Sequence, residues 1–256
     1  MVVPTLGSRP ALLEQCLASI SSQDVATSIV VVAPVGNADV DMVAAQHSAM
    51  VVADPGGLAA AINLGVEQAG PSHEFVNWLG DDDLLEAGSL RATVSALEGS
   101  PDAVLAYGAC RYIDEDGSEL WISRAGAWAP RILKWGPDLI PQPGMLVRRS
   151  AWTAVDGLDE SFRFAFDLDL LLKIHTLGTF VDVGQVVSSF RWHGESLTVS
   201  DRSTSLHESE VARRRALSPT GRRLAWMWEA PVRVATRAAA GELHRRAARK
   251  RAGAAK

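Results

Sequence analysis

The sequence predicts an α/β protein, with a central, mostly parallel sheet flanked by helices and a basic helical tail behind it. Three observations carry this. Over residues 1 to about 110, short β-branched runs alternate with longer segments whose apolar residues recur every three or four positions, the pattern of strands buried between helices. A hydrophobic run at 75–79 leads straight into three consecutive acids, Asp81, Asp82 and Asp83. The 256-residue chain carries a net charge of −5, but up to Asp201 there are 26 acidic against 11 basic residues, and after it 4 against 14.

In chain order, Val2-Val3 ends a first strand stopped by Pro4. Leu12, Leu13, Cys16, Leu17 and Ile20 then form one apolar face of a helix, started at Ser8 with Pro10 in its first turn. Ser28 to Val32 is a second strand and Met50 to Ala53 a third. A helix follows over Leu58 to Gln68, after the Asp54-Pro55-Gly56-Gly57 turn. Phe75 to Leu79 is a fourth strand. Ala103 to Arg111 reads as a strand that turns at Asp114-Glu115-Asp116-Gly117 and returns through Glu119 to Ser123. Residues 124–144, rich in Trp, Pro and Gly, suit an ordered loop framing a cleft. Asp167 to Thr176 is a helix and Phe180 to Val187 a strand. From Thr204 the Arg- and Ala-rich chain is helical, with breaks near Pro219 and Pro231.

Composition excludes several classes. With 47% hydrophobic and 21% charged residues the chain is globular, and no apolar run reaches the roughly 18 to 20 residues needed to cross a bilayer. The start lacks the features of a secretory signal, so a cytoplasmic setting is expected. Cys16 and Cys110 have no metal-ligand spacing and read as buried thiols. An acidic body argues against nucleic acid as a partner. No G-x-G-x-x-G follows the first strand, which disfavours a nicotinamide-dependent oxidoreductase.

Three segments carry candidate chemistry. Ligands bind at the carboxyl ends of strands in open α/β sheets, and crowded carboxylates repel unless a cation such as Mg²⁺ or Mn²⁺ compensates them. By residue type alone, Asp81 to Asp83 are therefore either a solvated acidic turn or a cation site. Asp167 and Asp169 lie among Phe164, Phe166, Leu168 and Leu170. They are either acids of a helix start or include a carboxylate made basic by an apolar setting, as a general base requires. His193, beside Arg191 and Trp192, is either structural or a diphosphate or metal contact.

Together these segments resemble a known family. The order Val2-Val3-Pro4-Thr5, Gly56-Gly57-Leu58-Ala59-Ala60-Ala61-Ile62-Asn63, Trp78-Leu79-Gly80-Asp81-Asp82-Asp83, Gly157-Leu158-Asp159-Glu160 through Phe166-Asp167-Leu168-Asp169, and Arg191-Trp192-His193-Gly194-Glu195-Ser196 is similar to that of the family 2 glycosyltransferases of the GT-A fold. The resemblance covers residues 1 to about 200. It implies a glycosyltransferase domain over 1–201, with a donor half to about 110 and an acceptor half over 111–201, followed by a separate basic tail over 202–256. It implies inverting transfer from a nucleotide-diphosphate sugar, in polysaccharide or glycolipid synthesis, with a nucleotide-sugar-binding protein that has lost catalysis as the alternative.

Carried over residue by residue, the resemblance places Thr5 and Asp81 at the nucleotide, Asp82, Asp83 and His193 at a Mg²⁺ or Mn²⁺ ion, and Asp167 at the base, with Asp169 supporting its helix. Gln142, Trp128, Trp135 and Trp192 are candidates for the acceptor, a glycan or lipid-linked sugar. There are departures: Gly80 opens the acidic motif, Ala33-Pro34 stand where an Asp commonly reads the base, and Ile62 replaces a common Arg. For the tail, its charge with Trp226, Met227 and Trp228 supports two expectations: peripheral contact with an anionic membrane at the inner face of the plasma membrane, or folding back onto the acidic body.

Overall fold

The computed structural model describes residues 1–192 and 202–234. Its first layer is a parallel three-stranded sheet in the order β1 (Val2–Pro4), β2 (Val30–Ala33), β3 (Met50–Ala53), with Val2 opposite Val30 and Val30 opposite Met50. Side chains alternate across a strand, so both faces of this apolar sheet must be covered. Val3, Val31 and Ala33 pack on Leu13, Cys16, Leu17 and Ile20 of α1 (Pro10–Ser21) and on Val40, Val43 and Ala44 of α2 (Ala38–Gln46). Val2, Val30 and Val32 face Ala61, Ile62 and Val66 of α3 (Leu58–Gln68). Leu13, Leu17 and Ile20 are almost wholly buried, worth about 1.5–3 kcal/mol each. Gly65 has a steric reason: a Cβ there would lie 2.4 Å from Val2 Cγ1, so α3 could not sit this close to the sheet.

The helix over Ala38–Gln46 was not among the expected elements. Asn37 caps it, its Oδ1 accepting the Val40 N–H at 3.2 Å. The expected fourth strand divides. β4 (Phe75–Val76) pairs antiparallel with β8 (Leu146–Arg148), whereas Asn77 and Leu79 exchange backbone hydrogen bonds with Val2 and so join β1. That junction delivers the chain to residues 81–83 at the carboxyl end of β1.

The second sheet corrects the expectation of a mostly parallel architecture. Its order is β4-β8-β6-β9-β5, with β7 also on β6. The long strands β6 (Ala103–Ile113) and β9 (Thr179–Arg191) run parallel, while β5 (Leu84–Leu85), β7 (Glu119–Ser123) and β8 pair antiparallel. The reason lies in the connections: Asp114–Gly117 is a tight turn that can return only an antiparallel strand. The helices α4 (Ser89–Glu98), α5 (Ala129–Ile132), α6 (Arg149–Ala154) and α7 (Phe166–Ile174) complete the body. The segment 124–144 thus contains one short helix. Cys16 and Cys110 are free and buried.

Beyond the gap, α8 (Arg202–Ala216), α9 (Pro219–Leu224) and a helix α10 over 226–234 lie against the body. Arg215 bonds Asp159 at 2.8 Å and stacks over Phe162, and Trp228 meets Trp135 edge to face with centroids 4.7 Å apart. Of the two expectations for the tail, the described part is folded back. No helix among the described residues is long and apolar enough to cross a membrane.

Candidate functional site

A cavity of about 880 Å³ opens at the carboxyl ends of β1 and β2 and runs between the acidic motif, α7 and the C-terminal helices. Thr5, Asp81, Asp82, Asp83, Gln142, Trp135, Trp192 and Asp167 all line it, so residues far apart in sequence meet on one surface. Trp128 does not: it is 52% exposed, away from the cavity, and the structure gives it no place at this site. Trp152 is core, edge to face with Trp78. His193 lies outside the described residues.

At the acidic motif, the Thr5 hydroxyl donates to Asp81 Oδ2 at 2.5 Å. The Arg9 guanidinium spans two acids, Nη2 donating to Asp81 Oδ1 at 2.8 Å and Nη1 to Asp82 Oδ2 at 2.7 Å. Asp83 is buried and accepts the Arg191 backbone N–H at 3.0 Å. The Arg191 side chain, itself buried, donates to the carbonyls of Asp82, Asp114 and Glu115 and to Gln15 Oε1. Gly80 allows this crowding, since a Cβ there would stand 3.0 Å from Asp83 Oδ2 and 3.1 Å from Asp82 Oδ1. Burial raises the Asp81 carboxyl above its ordinary range, with the Thr5 hydrogen bond and Arg9 acting against it. Burial and then the Asp82 charge push Asp83 well up.

Neutralisation is therefore incomplete at this end, and the exposed chemistry is hard oxygen, which suits a divalent ion. Among the described residues no three His, Cys, Asp or Glu side chains converge to hold an ion alone. Mg²⁺-type sites commonly use one or two carboxylates and complete the shell with water and substrate phosphate, and Asp82 and Asp83 meet that requirement once Arg9 yields Asp82.

At the other end, Asp167 stands in the first turn of α7. Burial raises it to about 6, opposed by its bond from the Leu168 N–H at 2.7 Å. Asp138 lines the same space, in the Pro137–Pro141 loop. Burial, and next the charge of Asp167, raise it to about 7, with the Ile140 N–H and Arg213 acting against the rise. Asp169 is buried behind the site and paired with Lys173 at 2.7 Å, consistent with a supporting place in the helix.

The loop leading to Asp167 is tied to α3 through Asn63. Its Nδ2 donates to the Leu158 carbonyl and its Oδ1 accepts the Leu158 N–H, both at 2.9 Å. Gly157, at a positive φ of 68°, lets this happen, because a Cβ would come 2.7 Å from Asn63 Oδ1. Gln142 Nε2 donates to the Trp78 carbonyl at 2.9 Å, and Trp192 joins Tyr112, Trp121 and Phe190 in an aromatic cluster. Sequence reasoning missed Arg9, Asp138, Glu208 and the hub role of Arg191. For Arg9 a signal existed, since it starts the helix that follows Thr5. Asp138, inside a Pro-rich loop, gave none.

This combination, a parallel half joined to a mixed sheet with acids at the seam, is shared with solved structures of glycosyltransferases. The solved structures that resemble it carry the comparison. One is residues 1–349 of S. aureus TarS in complex with UDP-GlcNAc: TM-score 0.66, 14% identity, 88% of this chain and 69% of that one. Another is the mannosyltransferase PcManGT from Pyrobaculum calidifontis in complex with GDP-Man and Mn²⁺, with TM-score 0.57 and 19% identity over 99% of this chain and 78% of that one. Against a longer S. aureus TarS structure the chain spans 43% of the length. No family model matches the chain, and no curated protein sequence does.

Proposed function

We propose that this protein is an inverting glycosyltransferase that moves a sugar from a nucleoside-diphosphate donor to a hydroxyl of a glycan or lipid-linked acceptor. The observation that carries the reading is the position of Asp167: a half-buried carboxyl, held near 6 by desolvation, on the same cavity as Thr5 and Asp81 to Asp83. A carboxylate with that proton affinity is mostly ionised at neutral pH and still more basic than an exposed Asp, which suits a general base.

Thr5 and Asp81 bind the nucleotide side of the donor, and Arg9 lies within reach of its diphosphate. Asp82 and Asp83, with His193, would hold a divalent ion, which would supply positive charge for the departing diphosphate. Asp167 takes the proton of the acceptor hydroxyl as that oxygen bonds to the anomeric carbon. The bond from that carbon to the diphosphate oxygen breaks on the opposite side, and its electron pair leaves with the nucleoside diphosphate. Gln142, Trp135 and Trp192 border the space where an acceptor enters, and indole faces suit sugar rings. Two neighbours of the same fold hold UDP-GlcNAc and GDP-Man, so base and sugar are to be found by experiment.

The exposed Leu224, Trp226, Met227 and Val234, beside the exposed Arg222 and Arg223, support a peripheral contact of the C-terminal helices with an anionic membrane. This would bring a lipid-linked acceptor to the cavity.

The test is a panel of UDP-, GDP- and dTDP-sugars screened by thermal shift with and without Mn²⁺, followed by turnover of the stabilising donor. Asp167→Asn should keep donor affinity within a few-fold and lower turnover by about 10² to 10⁴. Stabilisation by a donor with no transfer to any glycan acceptor favours the binding-protein alternative, and full turnover by Asp167→Asn removes it as the base.

A further inference from the structure

The residue before α7 is Ala165, whose side chain has no acceptor; within the first turn Asp167 Oδ1 takes the Leu168 N–H, so the backbone N–H groups of 163–165 leading into the helix need a partner from elsewhere. The turn into a helix leaves backbone N–H groups that need partners, and leaving them unmatched in a partly buried place is costly. Here a carboxylate arrives from 43 to 45 residues further along the chain. Glu208 of α8 accepts three successive backbone N–H groups: Phe164 on Oε2 at 2.7 Å, Ala165 on Oε2 at 3.0 Å, and Arg163 on both oxygens at 3.1 Å.

We propose that Glu208 is a positioning residue for Asp167, so that the first C-terminal helix is a working part of the active site rather than an appended tail. The proposal rests on the reading of Asp167 as the base. One carboxylate gathering consecutive amides fixes the path of 163–165, and Asp167 follows two residues later in the first helical turn. Negative charge at a helix N-terminus is also favourable. The surroundings agree. Arg215 of the same helix bonds Asp159 and stacks over Phe162, so α8 grips the 159–165 loop at two further points. Ser205, Leu206, Ser209, Glu210 and Arg213, which recur along one face of α8, line the cavity beside Asp138 and Asp167. The helix that orients the base also walls the space an acceptor would occupy.

A base displaced by about an ångström loses much of its effect while donor binding, at the other end of the cavity, is untouched. The experiment uses the full chain with Glu208→Ala, Glu208→Gln and Glu208→Asp. It reads amide hydrogen exchange over 163–167, affinity for UDP and GDP, and kcat and donor KM with the donor found by the panel. Glu208→Ala should speed exchange of the 163–165 amides at least tenfold and lower kcat about 10- to 100-fold, with nucleotide affinity and donor KM within twofold of wild type. Glu208→Gln keeps an acceptor oxygen and should recover most of both. Should Glu208→Ala fail to fold, Glu208→Asp keeps the charge and the helix but retracts the carboxylate by one methylene, and should lower kcat about three- to tenfold. Unchanged exchange, or unchanged kcat, in a folded Glu208→Ala or Glu208→Asp overturns the proposal. Asp167→Asn separates the two readings: if it is inactive while Glu208→Ala is fully active, only the positioning role falls, and if it is fully active the base assignment itself falls.

Discussion

Replacing Arg9 by methionine removes a side-chain cation that joins Asp81 to Asp82 and leaves a hydrophobic stem of similar length. The two charge-assisted bonds, 2.8 and 2.7 Å, run from a guanidinium that is one-third exposed to carboxylates that are largely covered. Breaking a fully buried pair costs about 3–5 kcal/mol and an exposed one about 0–1, so a loss of about 1–3 kcal/mol in stability is expected. The more informative consequence is at the metal. In the wild-type chain an incoming ion must displace Arg9 from Asp82, whereas in Arg9→Met both acids face the cavity without that cation. If displacement costs even 1.4 kcal/mol, Mn²⁺ should bind the variant about tenfold more tightly in the absence of nucleotide. Calorimetric titration with Mn²⁺ alone measures this, and a Tm that rises with Mn²⁺ more steeply in Arg9→Met than in wild type checks it independently. Equal Mn²⁺ affinity in the two proteins, or tighter binding by wild type, would refute the argument that Arg9 and the ion compete for one charge.

Four further outcomes follow from the same geometry. Because Asp167 must be ionised to act and is held near 6, kcat/KM should rise through about pH 6 and level off above it, and a rate independent of pH between 5 and 8 contradicts the assignment. Asp138 has a folded value near 7, well above its unfolded one, so its ionisation lowers stability as pH rises. Asp138→Asn should therefore raise Tm at pH 8, with a gain that shrinks as pH falls and vanishes near pH 4. Trp135→Ala should weaken acceptor use with donor binding preserved, while the exposed Trp128→Ala should leave both unchanged; an equal effect of the two would remove the distinction drawn from the cavity. Co-sedimentation of the intact chain with anionic vesicles, fading with salt and lost in Trp226→Ala/Met227→Ala, checks the membrane contact.

The parallel half of the fold was legible because its signals are local. Leu13, Cys16, Leu17 and Ile20 repeat at helical spacing, and β2 and β3 are short β-branched runs. The mixed second sheet was not, because β4, β5 and β8 are two or three residues each and take their direction from long-range pairing, β5 on β9, β8 on β6 and β4 on β8, which no local pattern encodes. The same division holds at the site. Asp81 to Asp83 and Asp167 stand in recognisable surroundings, and the cavity brings them together. Asp138 acquires its proton affinity from burial and from the charge of Asp167, neither visible in Pro137-Asp138-Leu139. Glu208 reads in sequence as one acid in an Arg-rich helix. Its hydrogen bonds come from the approach of α8 to the 163–165 backbone, which no local pattern encodes.

The two ends of the cavity are thus held by different means. The acidic end is locked from within the body: Arg191, at the end of β9, ties the Asp82 and Asp83 backbone and side chain to the β6–β7 turn and to Gln15 of α1, so moving any one of these requires breaking hydrogen bonds to a buried guanidinium. The base end has Asn63 on one side of its loop and the C-terminal helix on the other. Part of that helix's grip, Arg215 on Asp159, is made by an exposed arginine whose ion pair is weak and screened by salt. A rise in ionic strength should therefore loosen the base end before the donor end. Hydrogen exchange that increases with salt over 159–167 while 81–83 stays protected would show it, and uniform exchange across both segments would not be compatible with it.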